Sequence, residues 1–205
     1  MRRYFIAGSL ALLVLPLLSP SGRADVSELA QECDQCHGTG GVSKEDDVPT
    51  IAGMSAFVIE DYLLTYQDRA RPCHETRYRA GDLDRPATSM CEIAEGLSEE
   101  QVPEIAQYYS DKEFVPAKQE FDPAKAAAGA AVHRRDCEKC HTDNASNSED
   151  DAGIMAGQWM PYLRQVFADF SSGDRQMAED KMREKFDALS DEDKDNLIHF
   201  YGSLQ

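Results

Sequence analysis

The chain has 205 residues, 41% of them hydrophobic and 29% charged, with 38 acidic against 21 basic side chains and a formal charge of −17. A surface this acidic argues against nucleic acid, whose phosphates need a basic face, and suits a soluble chain or docking onto a basic partner patch. The length allows two small domains.

Residues 1–24 read as a secretory leader. Arg2 and Arg3 give the positive start, Ile6 to Leu18 the apolar stretch, and Gly22-Arg23-Ala24 a small-x-small cleavage site before Asp25. The apolar run is short for a bilayer span and is interrupted by Pro16 and Pro20. No other stretch could span a membrane, so the expectation is a soluble periplasmic protein, in a compartment where disulfides persist.

After the leader, an opening helix runs into Cys33-Asp34-Gln35-Cys36-His37, and the same pattern returns 104 residues later as Cys137-Glu138-Lys139-Cys140-His141. Cys-x-x-Cys-His is the pattern of covalent c-type haem attachment. The cysteines each supply a thioether to one porphyrin, and the histidine supplies the proximal iron ligand. Zinc would need two such pairs at short spacing. A thioredoxin-type dithiol would need a βαβ context, which is absent. Two covalently bound haems are therefore expected, held by Cys33, Cys36 and His37 and by Cys137, Cys140 and His141.

The motifs belong to a longer repeat. At the offset of 104, Ala52-Gly53 falls on Ala156-Gly157, Leu63 on Phe167 and Tyr66 on Phe170, the last two pairs within apolar-periodic stretches that predict a middle helix. Later the offset is 92: Leu97-Ser98-Glu99-Glu100 matches Leu189-Ser190-Asp191-Glu192, and Tyr108-Tyr109 matches Phe200-Tyr201. The first half thus has 12 extra residues between Tyr66 and Met90. Each Leu-Ser-acid-acid string predicts a closing helix, with the serine as N-cap and acids in the first turn. The predicted organisation is all-α: a first domain over 25–111, a linker over 112–123 marked by Pro116 and Pro123, and a second domain over 124–205 opening on an alanine-rich helix.

Each iron needs a sixth ligand. Met90 lies seven residues before Leu97 and Met182 seven before Leu189, the only methionines that coincide in the late alignment. They are assigned to the first and second haem, where a methionine raises the reduction potential. Met177 is the rival in the second half and His74 in the first, the latter read as a surface loop histidine. Met54, Met155 and Met160 read as core fillers, as does Trp159, the single tryptophan, placed beside a haem. His133 and His199 have no counterparts and no assigned role. Cys73 and Cys91 remain as an even pair in an oxidising compartment, which predicts a disulfide pinning the enlarged loop beside Met90.

From the linker onward the sequence resembles the dihaem cytochrome subunit of flavocytochrome c sulfide dehydrogenase. The resemblance rests on Pro116-Ala117-Lys118-Gln119 with Phe121-Asp122, the second haem motif, Ala156-Gly157-Gln158-Trp159 with Pro161-Tyr162-Leu163, and Met177 to Met182. The insertion with Cys73 and Cys91 departs from that pattern. The resemblance implies tandem cytochrome domains related by a pseudo-twofold axis. It also implies docking on an FAD-containing flavoprotein subunit that oxidises sulfide, and onward transfer to a soluble acceptor. A free-standing periplasmic dihaem shuttle to a terminal oxidase needs the same ligands. A dihaem enzyme of thiosulfate dehydrogenase type would need a labile or thiolate-bound iron position, for which Cys91 or His74 are the available groups.

Overall fold

The computed structural model describes residues 26–177 and 179–205. The predicted leader therefore lies outside the described residues. No helix among those described is long and apolar enough to cross a membrane.

The fold is helical apart from one two-residue hairpin. In the first half, α1 (Val26–His37) carries the haem motif in its last turns, α2 (Ala56–Gln67) is the middle helix, and α3 (Met90–Glu95) and α4 (Gln101–Ser110) close it. The strands β1 (Glu75–Thr76) and β2 (Thr88–Ser89) pair antiparallel within the insertion. In the second half, α5 (Pro123–Asp136) leads to the motif, α6 (Thr142–Ala145) is a single distorted turn after it, α7 (Met160–Ser172) is the middle helix, and α8 (Asp180–Asp187) and α9 (Asp191–Ser203) close the chain.

Local chemistry explains most boundaries. Asp122 caps α5 by accepting from the N–H groups of Ala124 and Lys125, with Pro123 at the first helical position. Ser55 caps α2 and Ser190 caps α9 as the Leu-Ser-acid-acid string predicts. The matching string in the first half caps in the same way. There α4 begins at Gln101, and Ser98 sits one turn earlier, accepting the Gln101 N–H on both its carbonyl and its hydroxyl. The Ser98 N–H in turn donates to the Gln101 side-chain oxygen, which makes a reciprocal capping box, and the Ser98 hydroxyl also donates to Glu100.

Each half has its own apolar core. Met54, Ile59, Leu63, Val102, Ile105 and Tyr109 make the first, and Leu163, Phe167, Phe170, Phe186, Leu197 and Tyr201 the second. In each, the closing helix crosses the opening one. Between α5 and α9 the crossing is so close that a methyl group on Gly129 would collide with the Asn196 carbonyl, which is why an alanine-rich helix carries a glycine there.

The repeat is visible in the hydrogen bonds. Ile51 and Ala52 donate to the Gly41 carbonyl, and Met155 and Ala156 donate to the Ala145 carbonyl. Gly53 N–H donates to Tyr109 O and Gly157 N–H to Tyr201 O, both at 2.9 Å. Gly53 and Gly157 take φ of 73° and 72°, the left-handed region that the matched Ala-Gly pairs supply. Left-handed residues also end both middle helices, at Arg69 and Gly173, again 104 apart. The insertion therefore lies wholly after that point, and residues 72–89 form its strap.

The halves are clasped by a buried amide. Gln158, fully buried, donates to the Thr50 carbonyl at 2.7 Å and accepts the Thr50 N–H at 3.0 Å. Around it, the Trp159 indole donates to Ser43 O and the Tyr162 N–H to Asp46 O. Trp159 is thus only half-buried, in neither core, at the boundary between halves, where its ring N–H finds a backbone acceptor. This corrects the expectation that it is a core filler.

Candidate functional site

The four motif cysteines are free, and Cys73 is disulfide-bonded to Cys91 with Cα atoms 5.5 Å apart. Cys33 borders the first core together with Met90 and Tyr66. Cys137 borders the second, together with both Met182 and Met177. Structure thus brings each predicted first cysteine and its candidate methionine to one apolar wall, and leaves two methionines at the second. Met90 opens α3 behind the Ser89 cap, and Met182 lies in the first turn of α8. His74 is away from both: its ring lies 3.0 Å from the Asp169 carboxylate, linking the strap to α7.

Burial pushes the Cys33 thiol up to about 11 and raises Cys36 and Cys137 in the same direction, whereas a reactive thiol needs a lowered value. A tyrosine from each closing helix attends the first cysteine, Tyr109 at Cys33 and Tyr201 at Cys137. Tyr109 also lies 2.8 Å from Asp34 Oδ1 and 3.0 Å from Ala30 O. Tyr201 instead meets the buried His133, 3.1 Å from its Nδ1. The other ring nitrogen of His133 lies 2.6 Å from Glu138, out of line for a hydrogen bond.

The motif histidines His37 and His141 are buried enough that desolvation lowers both pKa values, which favours the neutral imidazole that a metal would need. His37 is held through Nδ1 by the Pro49 carbonyl at 2.9 Å, which reserves Nε2 for a metal. His141 has a buried Nδ1 without a partner, and at the position matching Pro49 stands Gly153, with the Tyr62 hydroxyl against it. Paired thiols at the edge of an apolar wall, a neutral imidazole beside them and a thioether sulfur across it fit a c-type haem in each half. Among the described residues no cluster of three or more His, Cys, Asp or Glu could hold a bare metal ion.

The two motifs differ in exposure. The strap folds over the first: Arg79 and Ala80 donate to the Gln35 carbonyl, Arg85 reaches Glu32, Gln35 and Tyr78, and the Arg77 carbonyl lies 3.8 Å from the Cys36 sulfur. Among the described residues no such strap covers Cys140, which is exposed.

With this geometry in hand, likeness to known proteins is informative. Cytochrome c-554(548) of Halomonas halodenitrificans is 35% identical over 81 residues, covering 40% of this chain and 84% of that protein. The chain belongs to that family of c-type cytochromes. No protein-family model matches it. The cytochrome shares its fold with cytochrome c4 of Pseudomonas stutzeri, at TM-score 0.70 and 24% identity over 89% of this chain and 100% of the other. Cytochrome c4 of Acidithiobacillus ferrooxidans aligns at TM-score 0.68 and 21% identity, over 85% and 99%. A thiosulfate dehydrogenase, TsdBA of Marichromatium purpuratum, aligns at TM-score 0.65 and 19% identity, but the cytochrome spans only 36% of it. The two-domain helical architecture and two covalently attached c-type haems follow.

Sequence reasoning missed Pro49, Gln158 as a clasp, and two buried arginines, Arg71 and Arg175. The arginines carried a readable signal, since they coincide at the offset of 104.

Proposed function

We propose that the protein is a periplasmic dihaem electron carrier that takes electrons from one redox protein and hands them to another, working as a free-standing shuttle. The observation that carries this reading is the pair of attachment motifs, each on its own core, with the cores joined by the Gln158–Thr50 clasp. Haem, when bound, supplies a one-electron iron centre. The chain's residues would do the rest: His37 and Met90 would hold one iron and His141 and Met182 the other, and the apolar walls would exclude water and substrate.

A second reading keeps the carrier but gives it a permanent partner, an FAD-containing flavoprotein that oxidises sulfide. It is favoured by the string from Pro116 to Met182. Gentle purification of the native protein followed by a flavin assay and addition of sulfide separates the two. A flavin-free protein reduced slowly by sulfide is the expected result. A stoichiometric flavoprotein with rapid sulfide-driven haem reduction would replace the shuttle with the sulfide dehydrogenase reading.

A further inference from the structure

The strap over residues 72–89 meets three separate parts of the molecule. Arg79 and Ala80 donate to the Gln35 carbonyl inside the first attachment motif, and Gly81 lies so close that a methyl group there would stand 2.9 Å from the Gln35 side-chain oxygen. The His74 ring lies 3.0 Å from Asp169 of the second half. At the far end β2 runs straight into Met90, and the next residue, Cys91, is bonded back to Cys73. Met90 is therefore held from both sides, by a strand on one and by a covalent bond on the other.

The other ties of the strap are short or face water. The β1–β2 ladder pairs two residues with two. Residues 80–84 are all exposed, and Leu83 keeps 63% of its surface. The ion pairs Arg79–Asp47 and Arg85–Glu32 are partly exposed, and such pairs contribute little. A segment of this kind lies at the low-stability end of a fold, so the disulfide is the tie that keeps it shut.

The two sulfurs differ in access. Cys91 has no exposed surface, whereas Cys73 is exposed. Exposed disulfides are the ones that exchange with thiols, and a thiolate arriving from solvent finds Cys73 first. The second half has no cysteine beyond its attachment pair, so Met182 has no covalent neighbour of this kind.

We propose that Cys73 and Cys91 form a thiol-exchange site for a dithiol reductant, and that their reduction frees the sixth position of the first haem. The inference rests on the reading that the first half carries a haem ligated by Met90. A thiolate of the dithiol attacks Cys73 Sγ. The bond between Cys73 and Cys91 breaks as the mixed disulfide forms, and Cys91 leaves. The second sulfur of the dithiol then attacks the mixed disulfide and releases Cys73. The dithiol departs oxidised by two electrons, and its two protons end on Cys73 and Cys91. With the tie cut, the strap lifts from Gln35, β2 separates from β1, and Met90 keeps only the short helix α3 to position it. Met90 then yields its place to small ligands, while Met182 does not.

The test uses the holoprotein. The pyridine haemochrome assay first confirms two haems, so that failure of the haem reading shows separately. Both haems are kept ferrous with ascorbate, which leaves disulfides intact, so that added dithiothreitol changes only the sulfurs. Thiols are then labelled without denaturant, and carbon monoxide binding is followed by stopped flow. The attachment cysteines are blocked as thioethers, so two labelled thiols are Cys73 and Cys91. After dithiothreitol both label, and carbon monoxide binding quickens at one haem by roughly 100-fold, the ratio that a closure constraint of this span controls. The other haem is unchanged. The Cys73→Ser, Cys91→Ser double variant shows the fast phase with no dithiol added. Should that variant fail to fold, the intact protein before and after reduction carries the comparison alone. Two labelled thiols with unchanged binding kinetics would overturn the proposal and leave the disulfide a structural staple. So would thiols that appear only in denaturant, or an equal acceleration at both haems.

Discussion

Met177 and Met182 both border the second core with Cys137, five residues apart and on either side of the start of α8. Only Met182 repeats the spacing of Met90, and only it sits, as Met90 does, in the first turn of a helix that fixes its backbone. Replacing Met182 with leucine should remove half of the weak long-wavelength absorption of methionine-ligated ferric haem and lower one of the two potentials. Met177→Leu should leave both untouched; the opposite outcome would exchange the two residues. The ligands on the Cys-x-x-Cys-His side were legible because covalent chemistry fixes residue type and spacing together. The sixth ligand is less legible, since a thioether in a flexible segment can be supplied from several positions. Pro49 was not legible at all: its contribution is a backbone carbonyl, which every residue has.

At the scale of elements, the strap over residues 72–89 is what most separates the halves. Its disulfide closes an 18-residue span, worth about 3 kcal/mol in the chain-entropy account. Arg85 then ties the strap to α1 through Glu32, holding that carboxyl below its ordinary value. Denaturant unfolding of the Cys73→Ser, Cys91→Ser double variant should show that loss in oxidising buffer, and the intact protein should match the variant once reductant is added. Equal stabilities in oxidising buffer would mean that the Arg85 contacts alone hold the strap. The existence of this element could be read from the sequence as 12 residues in excess and two spare cysteines. Its course could not be, because it is set by Arg79, Ala80 and Arg85 meeting residues of α1 far away in the chain. The helices were more legible, being short amphipathic segments with polar caps. Ser98 and Ser190 share a local sequence and cap alike, each hydroxyl accepting the N–H three residues on.

For the molecule as a whole, the decisive contact is the Gln158 clasp, because it satisfies a buried backbone N–H and C=O of the other half at once. Gln158→Met keeps the volume and removes both bonds. It should cost about 3 kcal/mol and uncouple the halves, so that a single calorimetric transition splits into two. One transition at an unchanged temperature would show that Trp159, Tyr162 and His74 suffice to join them. The offset of 104 pairs Gln158 with Met54 and Thr50 with Ile154, and these two counterparts, Met54 and Ile154, are both buried in the first core. The clasp is therefore built once and not twice. A chain made of two copies of the first half would carry methionine where the glutamine stands and would leave the residue-50 peptide bare. The halves repeat each other in sequence, yet at this contact they are left and right hands, and neither could stand in for the other.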